Sequence, residues 1–289
     1  MTLGEILVAA LTLSLLALGS DAGLRAGFGQ PAQRRLRQPI PSVELTPREQ
    51  ERLYQGDPQI ALMPGQSGQN AGRIEAIVPF DPVTAFMVIT DFRHYALVDP
   101  SYPRSGPPGD KRRTFMPYVV DATVCQEGGA SYQYQLLNLP LVAPRMYSLR
   151  HVEDTSAFPW ESAWSSDGVM RCAELRDPAE EELHAAAVPV VENRGAWRVA
   201  PLPPALQRTA GDRLRAHVIY YVDASPGGDL ARFTGVVDAA TRAAMRGLVD
   251  NLTFQGKRWR EHLRRYHSAD ERARYERLVK AYRDAVGVD

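Results

Sequence analysis

The sequence predicts an α+β domain in which an antiparallel sheet is covered by one long helix. Three observations lead there. First, residues 213–223 alternate: Leu214, Ala216, Val218, Tyr220 and Val222 fall on one face, while Arg213, Arg215, His217 and Asp223 fall on the other, with Ile219 and Tyr221 as apolar exceptions. Period-two alternation of this kind marks a strand covered on one side only. Second, Pro226-Gly227-Gly228 stops that strand, Asp229 is placed to cap a helix, and a long amphipathic segment runs on to Leu252. Proline cannot extend a ladder and glycine permits positive φ. Third, the order along the chain is strand, helix, many strands, long helix, without internal repeat, which is the pattern of an α+β domain.

The elements can be justified in turn. Residues 6–18 are apolar apart from Thr12 and Ser14. That length suits the core of a signal peptide and is short for a membrane span. No Lys or Arg precedes the run, whereas Arg25, Arg34, Arg35 and Arg37 come after it, which favours an anchor with the domain in the cytoplasm. Length points to export, charge to anchoring. Residues 23–44 read as a Gly-, Pro-, Gln- and Arg-rich linker. Thr46-Pro47-Arg48-Glu49 is a capping box with proline at the first helical position, opening a short helix that stops near Gly56. Residues 64–72 read as loop, and 73–78 as the first strand, broken by Pro79. Asp81 caps a helix with Pro82 at its start, running to about Phe92, and 100–113 is loop. In 114–127 the even positions Met116, Tyr118, Val120, Ala122 and Val124 form one apolar face opposite Asp121, Thr123 and Glu127. Gly128-Gly129 turns the chain into a strand in which Tyr132, Tyr134 and Leu136 alternate with polar residues. Further strands are expected at 146–152, 160–165, 188–192 and 196–202, with a short acidic surface helix over 177–187. Ser268-Ala269-Asp270-Glu271 opens a final helix.

Composition excludes several classes. Lys plus Arg (34) equals Asp plus Glu (34), so no global charge draws the chain to nucleic acid. The two cysteines, Cys125 and Cys172, exclude a disulfide scaffold and a Cys-rich zinc site, and leave open either one bridge or two buried thiols. The six histidines form no His-x-His or His-Glu-x-x-His pattern, and there is no Gly-x-Ser-x-Gly elbow or phosphate-cradling glycine loop. No cofactor and no metal is therefore expected.

Four segments carry a family resemblance. Ile77-Val78-Pro79-Phe80-Asp81-Pro82-Val83 followed by Ile89-Thr90-Asp91-Phe92-Arg93-His94-Tyr95 resembles the opening strand and helix of the START-like (SRPBCC, helix-grip) superfamily. Leu139-Pro140-Leu141-Val142-Ala143-Pro144-Arg145-Met146-Tyr147-Ser148-Leu149-Arg150 resembles a segment of START lipid-transfer domains, as do Gly195-Ala196-Trp197 and Asp223 with Pro226-Gly227-Gly228. Met146 stands where the family often has Asp, Ala231 where a proline often opens the helix, and Ser225 separates Asp from Pro. The resemblance implies a helix-grip fold: a curved antiparallel sheet gripping a long C-terminal helix, with an N-terminal arm and an extra C-terminal helix. It divides the chain into a signal peptide or anchor over 1–22, a linker over 23–44, a START-like ligand-binding domain over 45–265 and a helical extension over 266–289.

What the resemblance implies for function is an apolar tunnel that binds a lipid or other hydrophobic small molecule, in a monomeric bacterial protein exported to the periplasm or tethered to the membrane. The expected lining combines tyrosines assigned to inward faces, Tyr118, Tyr134 and Tyr220, with Phe233, Val237, Ala240 and Ala244 on the closing helix, whose small residues leave room opposite the sheet. Arg145 is carried over from the family segment, facing either a ligand head group or a sheet carboxylate such as Asp121, and His151 shares a face with Tyr147 and Leu149. Two alternatives stand. One is a cyclase or hydrolase on the same fold, with His151 or Tyr220 as acid or base. The other is an assembly factor without a ligand whose basic C-terminal helices dock a membrane protein, with Lys257, Arg258, Arg260, Arg264 and Arg265, and Trp259 and Tyr266 interleaved, offering a partner or membrane-surface contact.

Overall fold

The computed structural model describes residues 40–92, 95, 118–127, 130–138, 143–166, 168–190, 192–227, 232–266 and 269–286, without the side chains of 258–266. The leader over 1–22, the linker up to 39, His94, the loop over 100–113, Met116, the Gly128-Gly129 turn, the Asp229 cap and the side chains of Arg258, Arg260, Arg264 and Arg265 lie outside the described residues.

Helix α1 (Pro47–Tyr54) starts as its capping box demands: the Thr46 hydroxyl accepts the Glu49 N–H at 3.3 Å, and the Glu49 carboxylate accepts the Thr46 N–H at 2.8 Å. A hairpin of β1 (Gln59–Pro64) and β2 (Asn70–Val78) comes next. The loop expected over 64–72 is thus only 65–69. The Asp223 carboxylate holds it by accepting the Gln66 and Ser67 N–H groups at 2.8 and 3.2 Å, a long-range contact that no local pattern announces. Helix α2 (Pro82–Ile89) is capped by Asp81, which accepts both the Thr84 N–H and hydroxyl at 2.9 Å. All eight of its residues are buried, and it ends at Ile89 rather than near Phe92.

The strands β3 (Val119–Glu127), β4 (Ala130–Leu137), β5 (Arg145–Asp154) and β6 (Trp160–Ser165) form a meander. Helix α3 (Glu181–Ala186), the short β7 (Val188–Pro189), β8 (Asn193–Pro201), β9 (Ala216–Ala224), α4 (Thr234–Tyr266) and α5 (Ala269–Val286) complete the chain. The sheet runs β1-β2-β9-β8-β6-β5-β4-β3, antiparallel throughout, with β7 joined parallel to β5. The α+β class expected from the sequence, an antiparallel sheet with a long C-terminal helix, is what forms.

Three expectations are corrected. The last strand begins at Ala216, not before Leu214; Leu214 ends a 3₁₀ turn over Ala210–Leu214 and is 65% exposed. Asp212 builds that turn by accepting the Arg208 and Thr209 N–H groups at 2.7 and 2.8 Å. The single apolar face expected over 114–127 is split by a bulge. Val119 pairs with Leu137 and Asp121 with Leu136, so Val120 is the extra residue. Ala122 and Val124 therefore join Val119 and Phe92, whereas Val120 and Cys125 pack with Tyr132, Tyr134 and Leu136 on the opposite face. Helix α4, finally, buries Met245, Leu248, Val249 and Leu252, while Ala239, Ala240, Ala243 and Ala244 are exposed. The larger side chains take the sheet because they remove more apolar area from water. Gly72 leaves the space that Met245 fills, and Gly256 the space for the Phe80 ring.

The inner face of the sheet, toward α2, α4 and α5, holds the main core, including Phe86, Trp160, Trp164, Trp197, Leu248 and Leu252. Leu278 of α5 belongs to the same core, with Tyr275, Val279 and Tyr282 packed beside it, so the C-terminal helix is integral to the domain. The outer face is covered by Ile40 over Ala71, Ala163 and Ala196, by α1 through Leu53, and by the 170–187 segment over β3 and β4. A disulfide between Cys125 and Cys172 ties that segment down.

This packing sets two expected outcomes. A Cβ at Gly195 would overlap both the Tyr221 carbonyl and the Trp164 indole. Gly195→Ala is expected to cost about 1–3 kcal/mol in urea unfolding, since neither neighbour can yield freely. The Cys125–Cys172 bridge spans 47 residues, so the Cys125→Ala/Cys172→Ala pair is expected to lose about 2–4 kcal/mol in the same measurement.

Candidate functional site

The inner face is built by alternation. Along β5 it presents Arg145, Tyr147, Leu149, His151 and Glu153. Opposite them on β4 stand Leu137, Gln135, Gln133 and Ser131, and on β6 Trp164 stands opposite His151. Trp197 on β8 and Tyr220 on β9 are register partners. The middle of this face is a bed of aromatic rings: Tyr220 lies 5.5 Å from Trp164 and 4.5 Å from Trp197, centroid to centroid. Tyr147, Tyr220 and Val222 remain half-buried although they project over the same face as the sealed Trp160, Val199 and Val218. The Tyr147 hydroxyl donates to Gln135 Oε1 at 2.8 Å. Burial pushes the phenols of both Tyr147 and Tyr220 well above the ordinary tyrosine value.

His151 sits toward one end of the β5 row, 4.0 Å from the Phe92 ring, centroid to centroid. The Gln133 amide N–H donates to the Phe92 carbonyl at 3.3 Å, which leaves Gln133 Oε1 to accept from His151 Nε2 at 3.1 Å. The imidazole proton is therefore on Nε2, and Nδ1 is an acceptor without a partner. Burial lowers the His151 pKa to about 3, so the ring is neutral at physiological pH. With an amide and not a carboxylate beside it, it is a poor general base. A cleft of about 480 Å³ opens beside it, lined by Met87, Phe92, Val124 and Ser131 and by charged groups of Glu153 and α5. Arg274 of α5 closes one wall: it donates to Thr90 Oγ1 at 3.0 Å and pairs with Glu153. Among the described residues no set of three His, Cys, Asp or Glu side chains is placed to hold a metal.

The residues singled out in the sequence fall into three groups. Tyr220 and His151 are on the inner face. Arg145 is there too, at the end of its row, but meets neither a carboxylate nor open space. Its Nε donates to the Pro226 carbonyl at 2.8 Å and Nη1 to the Ala143 carbonyl at 2.7 Å, clasping the turn after β9. Tyr134 lies on the outer face, because the β4 register puts Gln133 and Gln135 inward. Its hydroxyl donates to His184 Nδ1 at 2.7 Å, and His184 Nε2 donates to Asp121 Oδ2 at 3.1 Å, a buried chain that pins the 170–187 segment to the sheet. Tyr118 has φ 67° and is 44% exposed beside the bulge. Phe233, just before α4, and Ala240 and Ala244 on it are exposed, and Val237 is half-buried.

Sequence reasoning passed over Gln133, Gln135 and Trp164. The glutamines alternate with tyrosines and so read as a solvated face; the register with β3 and β5 turns them inward. Trp197 was marked by its Gly-x-Trp segment, which gave no hint that Tyr220 would lie against it.

No protein-family model matches the chain. No curated protein matches it by sequence. Among solved structures it is similar to a STAR-related lipid transfer protein fragment from Xanthomonas axonopodis, at 14% identity over 68% of this chain and 93% of that one, TM-score 0.46. It is similar to human STARD10 at 9% identity over 72% and 76%, TM-score 0.48. It is also similar to human StAR-related lipid transfer protein 5 at 15% identity over 71% and 84%, TM-score 0.47. All three likenesses lie below a TM-score of 0.5, and the α+β architecture is read from the strand order and the closing helix themselves.

The depressed His151 pKa makes a pH prediction. The unfolded histidine takes up a proton below about pH 6.5 and the folded one does not until about 3, so the unfolded state binds more protons in that window. Native stability should fall as pH drops from 6.5 toward 3, with His151 contributing on the order of a few kcal/mol. His151→Phe should flatten that part of the curve, read as the difference between variant and parent in denaturant titrations at each pH.

Proposed function

We propose that the protein binds a lipid or other hydrophobic small molecule over the inner face of its sheet, and carries or sequesters it. The observation that supports this most is an apolar face left partly uncovered within the fold: Tyr147, Tyr220 and Val222 are half-buried above a floor of buried tryptophans. An uncovered apolar face inside a domain is unfavourable unless something fills it, and each ligand CH₂ placed there gains roughly 0.8 kcal/mol before the costs of binding. The neutral, amide-bonded state of His151 favours binding over acid–base catalysis. The Cys125–Cys172 disulfide supports an oxidising compartment and, together with the apolar segment at 6–18, an exported protein.

The test is native mass spectrometry with lipid extraction on protein from a lipid-rich host. A stoichiometric lipid or quinone is expected. Protein that is empty, and that also fails to bind a fluorescent fatty acid or sterol, would sink the reading. Filling the space from within offers a second check. Val222→Trp should weaken binding of the fluorescent probe more than tenfold while leaving the far-UV circular dichroism unchanged.

A further inference from the structure

We propose that the ligand's buried end is uncharged and carries a hydrogen-bond acceptor, a carbonyl or ether oxygen, which receives the Tyr220 hydroxyl proton. This deepens the ligand-binding reading above and rests on it. Two observations carry it: where the charges on the inner face are, and which polar protons there are already used.

The inner positions of β2, β9, β8 and β6 contain no charged residue: Gly72, Ile74, Ala76 and Val78 on β2 are typical, and β9 offers Ala216, Val218, Tyr220 and Val222. On β5 the charged residues stand at the two ends of the row, Arg145 and Glu153. Both are engaged, Arg145 by backbone carbonyls and Glu153 by Arg274. Eight residues at about 3.3 Å each separate them, so the centre of the face is roughly 13 Å from either. Among the described residues, nothing there could neutralise a carboxylate or phosphate, and burying such a group without a partner costs several kcal/mol.

The polar protons are mostly spent. Tyr147 donates to Gln135, Tyr95 donates to the Ile89 carbonyl, and the Trp164 indole N–H donates to Asn193 Oδ1 at 3.0 Å. Ser162 Oγ is without a partner but fully sealed. The Tyr220 hydroxyl has no partner among the described residues, and unlike Ser162 it is not sealed. Its ring is fixed between Trp164 and Trp197, so its hydroxyl oxygen is held in place before any ligand arrives. A donor fixed in a dry aromatic site selects a neutral acceptor. Burial raises the phenols of Tyr95, Tyr147 and Tyr220, and the same burial would discourage ionisation of a ligand acid.

The experiment compares chain-matched ligands on the full chain by displacement of a neutral NBD-labelled alkyl probe at pH 8. 2-Heptadecanone should displace the probe at a concentration about tenfold or more below heptadecanoate. Tyr220→Phe should raise the ketone's concentration about five- to tenfold, the worth of one neutral hydrogen bond, after correction for any change in the neutral probe's own affinity. In the parent protein, which needs no substitution, the ketone carbonyl stretch should move to lower frequency on binding. A carboxylate that binds as well as the ketone, an unshifted carbonyl band, or a Tyr220→Phe variant that binds ketone normally overturns the head-group assignment alone. Failure of the neutral probe to bind the parent protein overturns the ligand-binding reading with it.

Discussion

A sheet this wide has two faces that must both be kept from water, and most of the structure answers that constraint. The inner face receives α2, α4 and α5. The outer face has no long helix available. It is covered piecewise by Ile40 at its centre, by α1 near β2, and by the 170–187 segment over β3 and β4. The last cover is held by its disulfide and by the Tyr134–His184–Asp121 chain as well as by apolar packing. The inner face is the better covered of the two at β2 and the less completely covered over Tyr147 and Tyr220.

The parts legible in the sequence were those fixed by local chemistry. Thr46 with Glu49 and Asp81 with Thr84 are short-range caps, and both helices begin where those residues require. The alternation from Ala216 to Val222 also survives unchanged, because β9 pairs in regular register on both sides. What could not be read depends on partners distant in sequence. The bulge at Val120 is a property of the β3–β4 pairing and puts Val120 on the face opposite Ala122 and Val124, while the β4 register turns Gln133 and Gln135 inward. The rotation of α4 is a competition between two stripes on one helix, and it is decided by Gly72 and Phe80 far away in the chain. For the same reason the site was only half visible. Tyr220 and His151 were in reach of the pattern, while Gln133, which fixes the His151 tautomer, was assigned to solvent.

The chemistry of the inner face is that of held protons. Gln133 orients His151, Gln135 takes the Tyr147 proton, Asn193 takes that of Trp164, and Arg145 is occupied by the turn after β9. These are positioning contacts that fix rings and leave little free polarity. His151, neutral and bonded to an amide, is for its part a poor proton acceptor near neutrality.

The bulge has one more consequence, for how molecules of this protein meet each other. β3 ends the strand order, so among the described residues one of its sides has no neighbouring strand in the sheet. A regular edge is a template on which another chain can add a strand and begin a fibre. At Val120 the spacing of N–H and C=O groups along that edge is interrupted, and an incoming strand in regular register would lose its ladder there. At the opposite end β1 is only six residues long and finishes in Pro64, which cannot donate. The same irregularity that sorts side chains between the two faces thus also guards the sheet against growth.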